Sequence, residues 1–258
     1  MTIYELEKRR EELGYSYETI AVLSGVSVKV VEDVFSGNPA LTATYAERIA
    51  IEQVLKEQID NTACEPQVTY FAKKQGEVTV EDYYALPEEV RAELIDGVLY
   101  EMKAPTFLHQ KMILEITIIL KQYIEKNKGK CEVICAPFDV QLDCDDKTMV
   151  EPDVMIVCEK EKITNRCLFG APDFVVEILS PSTRKKDMTI KLSKYMNAGV
   201  REYWIVDLEN KRIIVYNWEQ EEILSIYGFD SKIPVGIFEG KCELDFAIIY
   251  QTMNYLDE

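Results

Sequence analysis

The stretch from residue 151 to residue 208 constrains the fold more than any other. "EPDVMIV" (151–157) and "DFVVEILS" (173–180) are apolar runs of strand length, a helical pattern follows from about Asp187 to Ala198 and stops at Gly199, and "EYWIVDL" (202–208) is a further apolar run. Short β-branched and aromatic runs on either side of a helical segment predict strands joined through a helix, hence an α/β (α+β) architecture.

Two of these runs carry an acid where a strand would bury it, Asp153 and Glu177. Successive strand residues face opposite sides, so Asp153 shares a face with Met155 and Val157, and Glu177 with Val175 and Leu179; both acids can meet at one spot on adjacent strands. An isolated ionised carboxylate in a low-dielectric interior costs on the order of several kcal/mol, so a converging pair persists only when a cation, a metal or a proton neutralises it. Hard oxygen ligands suit Mg²⁺ or Mn²⁺, which can bind a phosphate oxygen and acidify an attacking water, so phosphodiester hydrolysis is the expected chemistry. The alternative is a pair of edge-strand acids that point to water.

A cation for the transition state could come from a lysine two residues after Glu177, but that position is Leu179. The next helix offers Asp187, Lys191 and Tyr195 at four-residue intervals on one face, with Lys194 close by. A solvated Asp187–Lys191 pair is the plainer reading of that face. "STRKKD" (182–187) is a basic cluster in an acidic domain, and it places Arg184, Lys185 and Lys186 where a phosphate backbone needs cations, or else in a solvated loop.

Further upstream, "VEDYYALPEEVRAELIDGVLYEM" predicts a short helix and then a hairpin that turns at Asp96-Gly97. An amphipathic helix follows from about Leu108 to Lys128, with Ile113, Ile116, Ile119, Leu120 and Ile124 as its stripe, and "CEVICAPFDVQL" reads as a strand. Residues 1–58 are helical in pattern throughout and predict a separate small all-α domain; 59–78, with Pro66 and Gly76, read as a linker, and 79–258 as the second domain.

In the first domain, "TIAVLSGVSVKVVEDV" sets a small residue, Ala21, four before Gly25, with Val31 and Val34 as apolar plugs and Ser27 as a cap, and Thr44 with Glu47 predicts a capping box. This resembles phage-repressor-like helix-turn-helix domains, which implies that Ser27 and Lys29 contact DNA. The same face also presents Glu32 and Asp33, and residues 1–78 hold 8 basic and 13 acidic side chains, a balance of −5. A docking or dimerisation module is therefore the equal alternative, and a homodimer stays open.

The whole chain carries a formal charge of −17, which repels nucleic acid unless a local basic patch or metal ions intervene. No apolar stretch reaches the length of a membrane span and no signal-peptide order is present, so the expected location is the cytoplasm, with no membrane partner. Seven scattered cysteines read as reduced structural thiols rather than a zinc site.

Taken together, "AELIDGVLYEM", "HQKMI", "EPDVMIV" and "APDFVVEILSPSTRKKDMTIKLSKYMNAGVREYWIVD" resemble the PD-(D/E)XK nuclease superfamily and, more closely, its Uma-two family of restriction-type endonucleases, over residues 79 to about 216. The resemblance implies a restriction-endonuclease-like core, a central mixed sheet flanked by helices, and Mg²⁺-dependent (or Mn²⁺-dependent) cleavage of DNA. It implies Pro152-Asp153 as the PD and Glu177 as the (D/E), both metal ligands, with Lys191 replacing the motif lysine and Lys194 in reserve. Glu93 and His109 would be further catalytic residues, although a histidine at a helix start also serves as a cap or a packing group. A DNA-binding regulator or interaction protein built on a catalytically silent nuclease fold is the alternative.

Overall fold

Alternation of short apolar strands with amphipathic helices produces a six-stranded mixed sheet whose strands lie in the order Leu224–Gly228, Arg212–Asn217, Glu202–Asp207, Phe174–Ile178, Val154–Val157, Glu132–Cys135. The computed structural model describes residues 3–13, 15–36, 43–56, 73–220 and 223–253, and the chain divides into one unit over 1–63 and another over 64–258.

The first unit contains α1 (Ile3–Leu13), α2 (Tyr17–Ser24), α3 (Val28–Ser36) and α4 (Tyr45–Lys56). Ser16 caps α2, and Gly25 ends it at φ 73°, a left-handed conformation that a residue without Cβ adopts cheaply. Ala21, Val31 and Val34 are buried with Leu6, Ile20 and Ile51. Thr44 and Glu47 exchange capping hydrogen bonds at 2.7 and 3.2 Å at the start of α4.

In the second unit, α5 (Val80–Tyr84) leads into the hairpin of β1 (Ala92–Ile95) and β2 (Val98–Glu101). Asp96 and Gly97 both have positive φ, 50° and 75°, the turn that matches the twist of a two-residue hairpin. A Cβ on Gly97 would lie 2.5 Å from the Gly76 carbonyl oxygen. Gly97→Ala is therefore expected to cost about 2 kcal/mol or more in urea unfolding, from left-handed strain plus that clash. The tail of the expected linker, 73–78, packs onto this hairpin: the Gly76 N–H donates to Gly97 O at 2.8 Å and Val78 is buried. Its earlier part, through residue 72, lies outside the described residues.

Helix α6 (Phe107–Lys126), capped by Thr106, buries Met112, Ile113, Ile116, Leu120 and Ile124 against the sheet. "CEVICAPFDVQL" is not one strand but two, β3 (Glu132–Cys135) and β4 (Asp139–Gln141), parted by a cis Ala136–Pro137 bond. Next come β5 (Val154–Val157), β6 (Cys167–Phe169), which sequence pattern did not reveal and which pairs in parallel with β4, and β7 (Phe174–Ile178). Cys131 and Cys158, at the end of the β3–β5 ladder, form a disulfide, which corrects the expectation of reduced thiols for that pair; Cys135, Cys144, Cys167 and Cys242 are free.

After β7, α7 (Arg184–Lys186), a π turn (Asp187–Lys191) and α8 (Leu192–Ala198) run on without a break to Gly199, at φ 90°. This segment connects β7 to β8 (Glu202–Asp207), the parallel pair of the sheet. The chain then adds β9 (Arg212–Asn217), β10 (Leu224–Gly228), the β11 (Lys232–Pro234) and β12 (Glu243–Asp245) pair, and α9 (Phe246–Gln251). Val154, Ile156, Val176 and Ile178 face the core shared with α6 and α9. The opposite face meets the α7–α8 segment, where the Tyr195 and Tyr203 rings lie 5.0 Å apart and the Tyr203 hydroxyl donates to Asp187 O. No helix among the described residues is long and apolar enough to cross a membrane.

Candidate active site

The antiparallel register of β5 and β7 pairs Val154 with Val176, so one step further along the strands Asp153 comes opposite Glu177. Both line a groove of about 590 Å³ together with His109, Asp187, Arg91 and Arg184. The two acids expected to converge are brought together.

Asp153 is held from two sides. The Ile178 N–H donates to its Oδ2 at 2.7 Å, and His109 Nε2 lies 3.3 Å from the same oxygen. His109 sits in the first turn of α6 because the Thr106 hydroxyl caps its N–H there, and its Nδ1 is buried with no hydrogen-bond partner. Burial pulls the imidazolium pKa down, but the bond to Asp153 and that carboxylate's charge outweigh it and leave His109 above its ordinary value.

Glu177 is almost fully buried, and its Oε1 accepts from Lys191 Nζ at 2.6 Å and from the Tyr195 hydroxyl at 2.7 Å. Lys191 Nζ is also 2.7 Å from Glu93 Oε1 and 3.7 Å from Asp187 Oδ1. Glu93 in turn has Lys186 Nζ at 2.8 Å from Oε2 and accepts the Glu151 N–H at Oε1. Residues five apart on an α-helix diverge, whereas the i→i+5 spacing of the π turn stacks them, so Lys186 and Lys191 reach one carboxylate.

Burial drives carboxylate pKa values up, and two ammoniums reverse that at Glu93 alone, lowering it to about 2. Glu177 stays well above its ordinary value, pushed by burial and by the charges of Asp187, Asp153 and Glu93, with Lys191 opposing; Asp187 is likewise raised by burial. Lys191 loses to burial but gains more from Glu177, Glu93 and Asp187, and is held well above normal. The Asp187 Oδ1 is buried without a hydrogen-bond donor.

Several residues stand elsewhere than the sequence suggests. Lys194 pairs with Asp96 at 2.7 Å and with Asp143, so Lys191 is the lysine at Glu177. Lys186 does not present its ammonium to an incoming backbone: it is 2% exposed, and its charge is spent on Glu93. Arg184 is also committed, with a two-pronged bond to Asp207 at 2.7 and 3.0 Å, while Lys185 stays half-exposed. Glu93, Lys186 and Lys191 do not line the groove; Lys191 stands behind Glu177, which makes it a positioning group in this geometry rather than one that meets a nucleophile. Ser27 and Lys29 are exposed at the start of α3, beside exposed Glu32. The spacing of 187, 191 and 195 set Tyr195 on the face of Lys191 without pairing it to Glu177, and the Lys186–Glu93 pair, outside that spacing, had no signal in the sequence.

Asp207 anchors the groove wall: besides Arg184 it accepts from Arg212 Nε and from Asn210, and these bonds outweigh burial to bring its pKa down to about 2. A folded pKa below the unfolded value of about 3.9 contributes stability that is complete above pH 4 and lost as pH falls toward 2, about 2 kcal/mol here. Asp207→Asn should therefore be less stable at pH 7 and show a flatter loss between pH 4 and 2, measured by urea unfolding across that range.

The donor set fits a hard divalent cation. Glu93, Asp153, Glu177 and Asp187 outnumber the ammoniums of Lys186 and Lys191, and the upward push on Glu177 from burial and from its neighbouring carboxylates is what a bound cation would relieve. No three metal-binding side chains stand preassembled among the described residues. Mg²⁺ is commonly held by one or two carboxylates with water and phosphate oxygens completing the shell, which the Asp153–Glu177 pair can supply.

Comparison with known proteins gives a fold likeness and a family. The fold matches 67% of this chain to 98% of a crystal structure described as "a putative nuclease belonging to DUF820 from Anabaena variabilis", with a TM-score of 0.56 at 20% identity, a likeness of fold. A protein of Synechocystis sp., "Uncharacterized protein slr1290", is 25% identical over 140 residues, 53% of this chain and 72% of that one. Residues 80–244, which hold every residue of the groove named above, match the family described as "Putative restriction endonuclease", and the chain belongs to that family, Uma2.

Proposed function

We propose that the chain is a divalent-metal-dependent endonuclease that hydrolyses DNA phosphodiester bonds in this groove. The observation that carries the reading is the β5–β7 register, which sets Asp153 and Glu177 face to face on the groove wall. These two carboxylates would hold Mg²⁺ or Mn²⁺, which when bound supplies a Lewis acid for a phosphate oxygen and a more acidic water. Asp153 is oriented by the Ile178 N–H and His109, and Glu177 by Lys191 and Tyr195, so neither has to be ordered when substrate arrives. Arg91, 44% exposed and paired with Glu151 at 2.7 Å, and exposed Lys103 line the groove as cations for a phosphate backbone. The N-terminal unit would target or dimerise the enzyme, with Ser27 and Lys29 at its contact face.

The test is nicking of supercoiled plasmid by the intact chain. Cleavage with Mg²⁺ or Mn²⁺ that EDTA abolishes is expected; a preparation that shifts DNA without metal and never cuts it would favour a regulator on a silent fold.

A further inference from the structure

Lys191 is held by two carboxylates at once, one in the groove and one behind it. Its Nζ lies 2.6 Å from Glu177 Oε1 and 2.7 Å from Glu93 Oε1. Glu177 lines the groove with Asp153, whereas Glu93 is 1% exposed and does not. A divalent cation on Glu177 and an ammonium on the same carboxylate repel each other strongly in such surroundings. An ammonium that simply let go would be left buried and unpaired, at a cost of several kcal/mol by order of magnitude. Glu93 removes that difficulty because it is already within bonding distance, and its charge is firmly kept between two lysines.

We propose that Glu93 is the receiving carboxylate for Lys191: when Glu177 takes a divalent cation, Lys191 gives up its bond to Glu177 and is retained by Glu93. Glu93 then sets the metal affinity of a groove it never touches. The π turn is the device that allows this, since it also brings Lys186 to the other Glu93 oxygen and so limits how tightly Glu93 draws Lys191. Lys191 competes with the metal, Glu93 relieves the competition, and Lys186 tempers Glu93. This rests on the reading of Asp153 and Glu177 as metal ligands.

The test is calorimetric titration of Mn²⁺ into the full chain and into Asp153→Asn, Glu93→Gln, Lys191→Met and the Glu93→Gln/Lys191→Met double variant, each checked for folding by circular dichroism. Glu93→Gln should weaken binding about tenfold and Lys191→Met should strengthen it by a similar factor. The double variant should bind as Lys191→Met does, because Glu93 acts only through Lys191. If the Glu93→Gln decrement persists unchanged in the double variant, Glu93 acts through its field alone and the proposal fails. Should Glu93→Gln not fold, Lys186→Met reads the same link with opposite sign: tighter binding when Lys191 is present, no change when it is methionine, and equal effects in both would overturn the proposal. Wild-type chain that takes up no Mn²⁺, or binds it undiminished after Asp153→Asn, would sink the metal-ligand reading itself; normal binding with unresponsive Glu93 and Lys191 variants would sink only the exchange.

Discussion

Asp153→Ala and Glu177→Ala are each expected to lower the rate of plasmid nicking by about a thousandfold or more, with the fold retained. A bound metal that polarises phosphate and water stabilises the transition state by several kcal/mol, and about 1.4 kcal/mol is worth a factor of ten. The two carboxylates serve one ion, so the double variant should be scarcely slower than either single one, the non-additivity of groups that act as a unit. Independent, multiplicative losses would mean that the two acids do separate jobs. Stability should separate the pair in another way. Asp153 sits at the groove surface, while removing Glu177 deletes one of the two carboxylates within hydrogen-bond distance of a buried ammonium, so Glu177→Ala should be the less stable protein in urea.

The largest effect on stability is expected at Glu93. Glu93→Ala leaves Lys186 and Lys191, 2% and 3% exposed, without their shared carboxylate, and breaking a buried pair from one side costs about 3–5 kcal/mol. For a unit of this size that corresponds to a fall in Tm of about 10 °C or more by scanning calorimetry. The cost is one-sided: replacing Glu93, Lys186 and Lys191 together by apolar residues of similar volume should recover much of it while leaving the chain inactive. A loss below about 1 kcal/mol for Glu93→Ala would contradict a desolvated cluster at this place.

The sheet strands were legible because their apolar runs are short, bounded and interrupted only by acids, and the hairpin because Asp96-Gly97 suits only one kind of turn. The convergence of Asp153 and Glu177 was legible from strand alternation, since both were placed on a face before any register was known. Three features were not. A cis Ala136–Pro137 bond divides one apparent strand into two, and β6 pairs in parallel with β4 by a long-range contact that leaves no local pattern. The basic run at 184–186 read as phosphate contacts or a solvated loop because burial of a lysine depends on a carboxylate about ninety residues away in the chain, Glu93, and on a π turn that no spacing rule announces. The ion pair of Arg184 was hidden for the same reason, its partner Asp207 lying across the β7–β8 crossover.

Crystals grown with Mn²⁺ offer the most direct measurement, because the ion's anomalous signal reports its position without reference to activity. A peak is expected between β5 and β7, about 2.1 Å from a carboxylate oxygen of Asp153 and of Glu177, with Lys191 withdrawn from Glu177 toward Glu93. A peak elsewhere in the chain, with Glu177 still bonded to Lys191 and Asp153 to His109, would contradict that placement.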